Sequence, residues 1–259
     1  MNIILALAGV VIKELYRRKD FYVLFVMTAV ITLLMGSVNF FHDAKIVRIL
    51  KTVCLLLIWV SALVVAITTT ARQIPSEKEN RTIFPLLAKP VTRGQVVAGK
   101  FAGCWLACGL ALLMFYVFFG VVTGSKESHW PVLQYLQAAW LQWMMLGMVV
   151  ALVLLGSVLF TAPSSNATIS FVVVVGILLL GRHLNQLALQ QPEPLRTIVY
   201  TLYFLVPHLE WYDLREFIVN DQPLIDWGSC ALASLYAGCY AALLLVATWV
   251  AFRRKALNL

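Results

Sequence analysis

Residues 139–161 read AWLQWMMLGMVVALVLLGSVLFT, with no Asp, Glu, Lys or Arg. An α-helix rises about 1.5 Å per residue, so a helix over this stretch crosses the roughly 30 Å hydrocarbon core of a bilayer. Lipid offers the backbone no water, so the run must close its own hydrogen bonds as a helix. Short alternating segments, the mark of a membrane barrel, are missing. Working outward, further apolar runs lie at 21–40, 50–70, 97–123, 168–181 and 227–252. The expected fold is therefore all-α: a polytopic membrane protein with six transmembrane helices in a single domain over 1–259. Composition agrees. Of 259 residues, 61% are hydrophobic and 12% charged, against about half and a quarter in soluble domains. That balance excludes a soluble globular domain and a disordered chain alike. Five Cys make no disulfide framework.

The net charge of +8 has to be read by side. Six spans put both termini on one face. With that face come Lys13, Arg17, Arg18, Lys19, Arg72, Lys78, Arg81, Lys89, Arg93, Lys100, Arg253, Arg254 and Lys255, thirteen basic residues. The other face has Lys45, Arg48, Lys51, Lys126, Arg182, Arg196 and Arg215. The excess predicts cytoplasmic termini. Basic charge so distributed points to the inner membrane surface and not to nucleic acid.

Residues 3–19 are too short and too basic at their end to span. Ile4, Leu7, Val11 and Leu15 share one helical stripe, which predicts an interfacial helix on the inner leaflet. The basic cluster follows the apolar run, the reverse of a cleaved signal. Between the fifth and sixth spans, 183–226 is longer than a hairpin needs. Its apolar piece 195–206 is too short to span and predicts a re-entrant or interfacial helix; 209–219 predicts a second short outer helix.

The inner loop, 71–96, reads ARQIPSEKENRTIFPLLAKPVTRGQV. Ser76 with Glu79, and Thr92 with Gln95, have the spacing of capping boxes. They predict a short helix from Glu77 to about Phe84, stopped by Pro85, and a capped start to the third span. Two capped elements and the apolar pair Leu86 and Leu87 suggest a docking surface.

The order Glu77-x-Glu79-x-Arg81-Thr82-Ile83, then Leu86-Leu87-x-x-Pro90-Val91-Thr92-Arg93, then Gly99-Lys100, resembles the permease subunits of type-2 ABC exporters. LLAKPVTRGQ looks most like the branch named for multicopper-enzyme maturation. Pro85 departs from the pattern, since relatives continue the helix there. The resemblance implies a membrane-spanning subunit of an ATP-driven exporter in a bacterial inner membrane. It implies a second permease subunit, as homodimer or heterodimer, and two copies of a separate ATP-binding subunit that carry ATP and Mg. This chain would hold no cofactor and no catalytic residue. Glu77, Glu79, Arg81, Thr82, Leu86, Leu87, Pro90 and Arg93 are the ATPase-coupling residues so implied. The alternative is a non-transport scaffold or sensor without an ATPase.

Other patterns carry less. Gly94 to Lys100 has P-loop spacing, but Phe101 replaces the Ser or Thr that would hold Mg²⁺ and no strand precedes it. Cys104 and Cys108 share a helix face as small buried residues, with no third ligand. His42, His129, His183 and His208 fall on the outer side without ligand spacing. Gly99-x-x-x-Gly103 and Gly120-x-x-x-Gly124 can bring helices close. The tryptophans read as interfacial belts. Formal charge is nearly absent from the spans, which argues against an ion pump. Thr68, Thr69, Gln137, Gln142 and Ser157 are the polar side chains expected to line a substrate path.

Overall fold

The computed structural model describes residues 3–17, 19–37, 44–79, 92–127, 131–190, 192–193 and 195–254, and all regular structure among them is helical. α1 covers Ile3–Arg17, α2 Lys19–Ser37, α3 Ala44–Ala71 and the short α4 Pro75–Glu79. α5 runs over Arg93–Glu127, α6 over Val132–Leu159 and α7 over Pro163–Gln190. Then come α8 Leu195–Leu205, a 3-10 turn Leu209–Tyr212, α9 Arg215–Val219 and α10 Trp227–Arg254.

Five stretches are long and apolar enough to cross a membrane: Arg48–Glu77, Arg93–Ser125, Val132–Leu159, Pro163–Gly181 and Trp227–Arg254. They contain or overlap the five later apolar runs. The first run, 21–40, contributes the shorter apolar stretch Tyr22–Leu33 within α2; residues 38–40 lie outside the described residues.

α6 is the hub. It packs against α3, α5, α7 and α10. Its contact with α5 rests on a motif used twice, WLACG at 105–109 and WMMLG at 143–147. Residues four apart share a helix face, so each helix presents a Trp and a Gly side by side. The Trp105 indole N–H donates to the Trp143 carbonyl at 3.0 Å, and Trp143 donates to the Trp105 carbonyl at 2.9 Å. The rings stack with centroids 4.5 Å apart. Each ring lies over the other helix's glycine: a Cβ on Gly109 would stand 2.6 Å from Trp143 Nε1, and one on Gly147 3.0 Å from Trp105 Nε1. A belt of interfacial tryptophans does not describe this pair. They are a reciprocal clasp between two helices, made possible by the glycines.

A second close approach joins α1 to α5. A Cβ on Gly99 would come within 2.8 Å of Leu7 Cβ, and one on Gly103 within 2.8 Å of Val11 Cβ. The Gly99-x-x-x-Gly103 spacing thus seats the apolar stripe of α1 on α5. α2 joins α3 through Thr28 and Ser61 hydroxyls 3.3 Å apart, and Thr32 donates to Cys54 Sγ at 3.4 Å. Asn166, wholly buried, ties three helices. Its Nδ2 donates to the Ala71 carbonyl at 3.2 Å and the Val153 carbonyl at 3.3 Å, while Oδ1 accepts from Ser170 at 3.1 Å. Gly156 leaves it room, since a Cβ there would meet Oδ1 at 2.3 Å.

α8 packs along α7, and the 3-10 turn packs on both α6 and α7. Leu209, Tyr212, Leu214 and Ile218 enter the main core. The expected helix over 209–219 is broken at Asp213, which turns its carboxylate to Arg215 instead.

Candidate functional site

The inner-loop residues meet the bundle at one end, where α4, the start of α5 and the ends of α3 and α10 come together. Local sequence explains the geometry. At Thr92 the predicted capping box forms in both directions: the Gln95 N–H donates to Thr92 Oγ1 at 3.2 Å, and the Thr92 N–H donates to Gln95 Oε1 at 2.9 Å. Two orphan donors are satisfied, so α5 starts cleanly at Arg93. At Ser76 the box does not form. The hydroxyl donates back to the Arg72 carbonyl, and α4 begins at Pro75, whose fixed φ suits a first helical turn.

Lys100 is the centre of this end. It lies two turns into α5 and is 4% exposed. Its Nζ donates to Gln73 Oε1 at 3.1 Å and forms an ion pair with Glu77 Oε1. Gln73 Nε2 in turn reaches Glu14 Oε2 on α1 at 3.4 Å and the Thr69 carbonyl at 3.3 Å. One buried cation therefore links α1, the end of α3, α4 and α5. Taking one member of a buried pair away typically costs about 3–5 kcal/mol, because the other charge stays behind without compensation. The P-loop-like spacing from Gly94 to Lys100 is part of a regular helix, with its lysine held in this network.

Arg93 closes the same end from the other side. Its Nη1 donates to the Phe252 carbonyl at 2.7 Å and the Arg253 carbonyl at 3.0 Å, with the guanidinium 5.5 Å from the Phe252 ring centre. The last carbonyls of α10 have no partners of their own, so an arginine from α5 both caps them and favours the negative end of the helix dipole.

Of the coupling residues expected from sequence, Glu77 is in the Lys100 pair, Glu79 is exposed and Arg93 caps α10. Arg81, Thr82, Leu86, Leu87 and Pro90 lie outside the described residues. The substrate-path candidates are not gathered on one surface. Thr68 donates to the Val64 carbonyl at 2.8 Å, Thr69 is buried, and Ser157 is wholly buried and donates to Leu154 at 2.6 Å. Gln137 pairs with the backbone of Ile225 in both directions, at 2.7 Å and 3.0 Å. Gln142 Oε1 accepts from Tyr116 at 3.0 Å. Sequence reasoning missed Glu14, Gln73 and Asn166, and placed Lys100 in a motif without a role. Lone polar residues within otherwise apolar helices were the available signal.

The far end is held by its own polar set. Lys51, 1% exposed, pairs with Asp221 at 3.0 Å, and Arg48 reaches Asn220. Asp221 has φ 47, a left-handed turn conformation that Asp tolerates better than most residues. There His208 is buried: Nδ1 lies 3.0 Å from the Tyr236 hydroxyl, and the ring stacks on Trp211 with centroids 4.6 Å apart. Burial holds its pKa below the ordinary 6.5, with nearby Glu210 pulling the other way.

No group of three or more His, Cys, Asp or Glu side chains that could hold a metal occurs among the described residues. Cys104 and Cys108 are buried free thiols in the core.

Comparison with known proteins bears on this arrangement. No curated protein matches the chain. Residues 13–257 match the model of the family described as ABC-2 family transporter protein. That match takes in α2 to α10 together with the Lys100 network and the inner loop. The chain therefore belongs to the ABC-2 transporter family, as a multi-pass membrane permease subunit of an ABC transporter, a kind of subunit that works with an ATP-binding partner.

Proposed function

We propose that this permease subunit serves an ATP-driven exporter, of the branch named for multicopper-enzyme maturation, and that the buried Lys100–Glu77 pair is its coupling link. The observation that carries the reading is that one buried lysine joins the start of the inner loop to α1, α3 and α5. In this reading the chain has six spans in a bacterial inner membrane, with both termini cytoplasmic. The loop 71–96 docks on a separate ATP-binding subunit that holds ATP and Mg. Two such subunits and a second permease subunit complete the assembly. Closure of the ATP-binding subunits pushes on the loop. Glu77 passes the push to Lys100 and so to α5, and Gln73 and Glu14 carry it to the end of α3 and to α1.

Lys100→Met tests the link, with Lys100→Met/Glu77→Gln as the control that removes the stranded carboxylate. Both are expected to retain the ATP-binding subunit on purification while export per ATP falls. Export per ATP at the wild-type level in the double variant rejects the link. Topology is checked by a reporter fused after Leu259, expected to read cytoplasmic; a reporter that reads outside rejects the six-span arrangement.

A further inference from the structure

A cavity of about 460 Å³ lies between α3 and α7, beside the segment that joins the 3-10 turn to α9. Its two ends differ in chemistry. Val60 and Leu63 from α3 and Phe171, Val175 and Leu178 from α7 make an apolar wall. Glu210, Asp213, Arg215 and Trp59 make the polar end.

Two of those four have spent their polarity. Arg215 donates from Nε and Nη2 to the two Asp213 oxygens, both at 2.7 Å. Its guanidinium lies 4.8 Å from the Trp59 ring centre, a cation–π contact. The other two have not. Glu210 Oε2 and Trp59 Nε1 are both buried and have no hydrogen-bond partner among the described residues. Buried polar groups are nearly always satisfied, so each orphan calls for a partner. Their needs are opposite: the carboxylate lacks a donor and the indole lacks an acceptor. Among the described residues that line it, the formal charges sum to one negative, Glu210 and Asp213 against Arg215.

We infer that this cavity holds a zwitterionic lipid with a primary-amine headgroup, the phosphatidylethanolamine class. Its ammonium gives N–H groups to Glu210, a phosphate or ester oxygen accepts from Trp59, and an acyl chain lies along the α3 and α7 wall. The surroundings of a transmembrane cavity supply amphiphiles, and the charge selects among them. A quaternary ammonium has no N–H for Oε2, and an anionic headgroup meets the unbalanced negative charge. The Glu210 carboxylate now rests over Gly181, where a Cβ would stand 2.5 Å from Oε2. The site does not depend on the transport reading, since neither ATP nor a partner subunit enters it.

The test is native mass spectrometry of the delipidated full chain, titrated with phosphatidylethanolamine, phosphatidylcholine and phosphatidylglycerol of identical acyl chains. One ethanolamine lipid is expected to bind about tenfold more tightly than the others, the scale of one charge-assisted hydrogen bond. Glu210→Gln keeps the shape and an acceptor but removes the charge, and should erase that preference. Trp59→Phe keeps the ring under Arg215 and should weaken binding while leaving the preference in place. A wild-type chain without preference, or a Glu210→Gln chain that keeps it, overturns the assignment. Should one variant fail to fold, the wild-type lipid series and the other variant still decide.

Discussion

α6 and α10 are each 28 residues long and their most apolar stretches are close in hydropathy, yet 83% of that stretch in α6 is buried inside the bundle against 17% in α10. Apolar character therefore does not report burial here. Lipid tails are as apolar as leucine, so no hydrophobic force sorts one span to the centre. What sorts them is close approach and polar bonding. α6 has Gly147 under Trp105, Gly156 beside Asn166, and Gln137 bonded to Ile225. In α10, Gly238 has nothing within 4 Å of a built Cβ, and Leu232, Leu235 and Leu243 are exposed.

Substitutions that attack one helix and spare the other sharpen this contrast. Trp143→Ala removes half of the clasp: the Trp105 ring loses its stacked partner and the Trp105 carbonyl loses its indole donor. Trp143 is partly buried, so the cost should reach at most the about 3–5 kcal/mol of a fully buried Trp→Ala change, read as a lower denaturation midpoint of the purified chain. Gly147→Leu forces a branched side chain against Trp105 and should cost about 1–3 kcal/mol by overpacking. The matching change in α10, Gly238→Leu, should stay within about 0.5 kcal/mol; equal losses at the two glycines would break the contrast. Gln137→Leu strands the Ile225 N–H and carbonyl, at about 1–3 kcal/mol. Amide exchange localises that loss to the segment before α10.

A smaller effect is tied to pH. His208 packs against Tyr236 on α10, and burial lowers its pKa beneath 6.5. In the window from about 6.5 down to its lowered folded value, the unfolded chain takes up the proton first. Stability therefore falls as pH drops through that window and levels off below it. Glu210 opposes the shift and Tyr203 and Tyr236 are its other titratable neighbours. His208→Phe should flatten thermal stability measured between pH 7 and 5, and an unchanged slope would remove His208 as its source. At the bottom of the scale, Leu243→Ala on the exposed face of α10 should move the midpoint by less than about 0.5 kcal/mol.

Much of this was legible in the sequence because it depends on length and spacing alone. The apolar runs marked the long helices, 195–206 announced a piece too short to span, and Thr92 with Gln95 formed the box their spacing implies. Gly99 and Gly103 marked a close helix contact but not which helix would fill it. Illegible were the features that need two distant segments at once. Trp105 and Trp143 look like any aromatic near a membrane surface until each is seen to need the other's carbonyl. Lys100 looks like a topology-setting charge until Glu77 and Gln73 are found beside it. Ser76 failed as a cap because Arg72 offered a nearer carbonyl, and local competition of that sort is not visible in a spacing rule.

In the proposed function, the inner loop couples this chain to an ATP-binding subunit. The most direct measurement is purification of the permease from native membranes, as wild type and with Glu77, Glu79 and Arg81 all replaced by alanine, followed by assay of the ATPase that comes with it. An ATP-binding subunit and its activity are expected with the wild type, and loss of both with the triple variant. A triple variant that keeps the complex and its ATPase intact would contradict it.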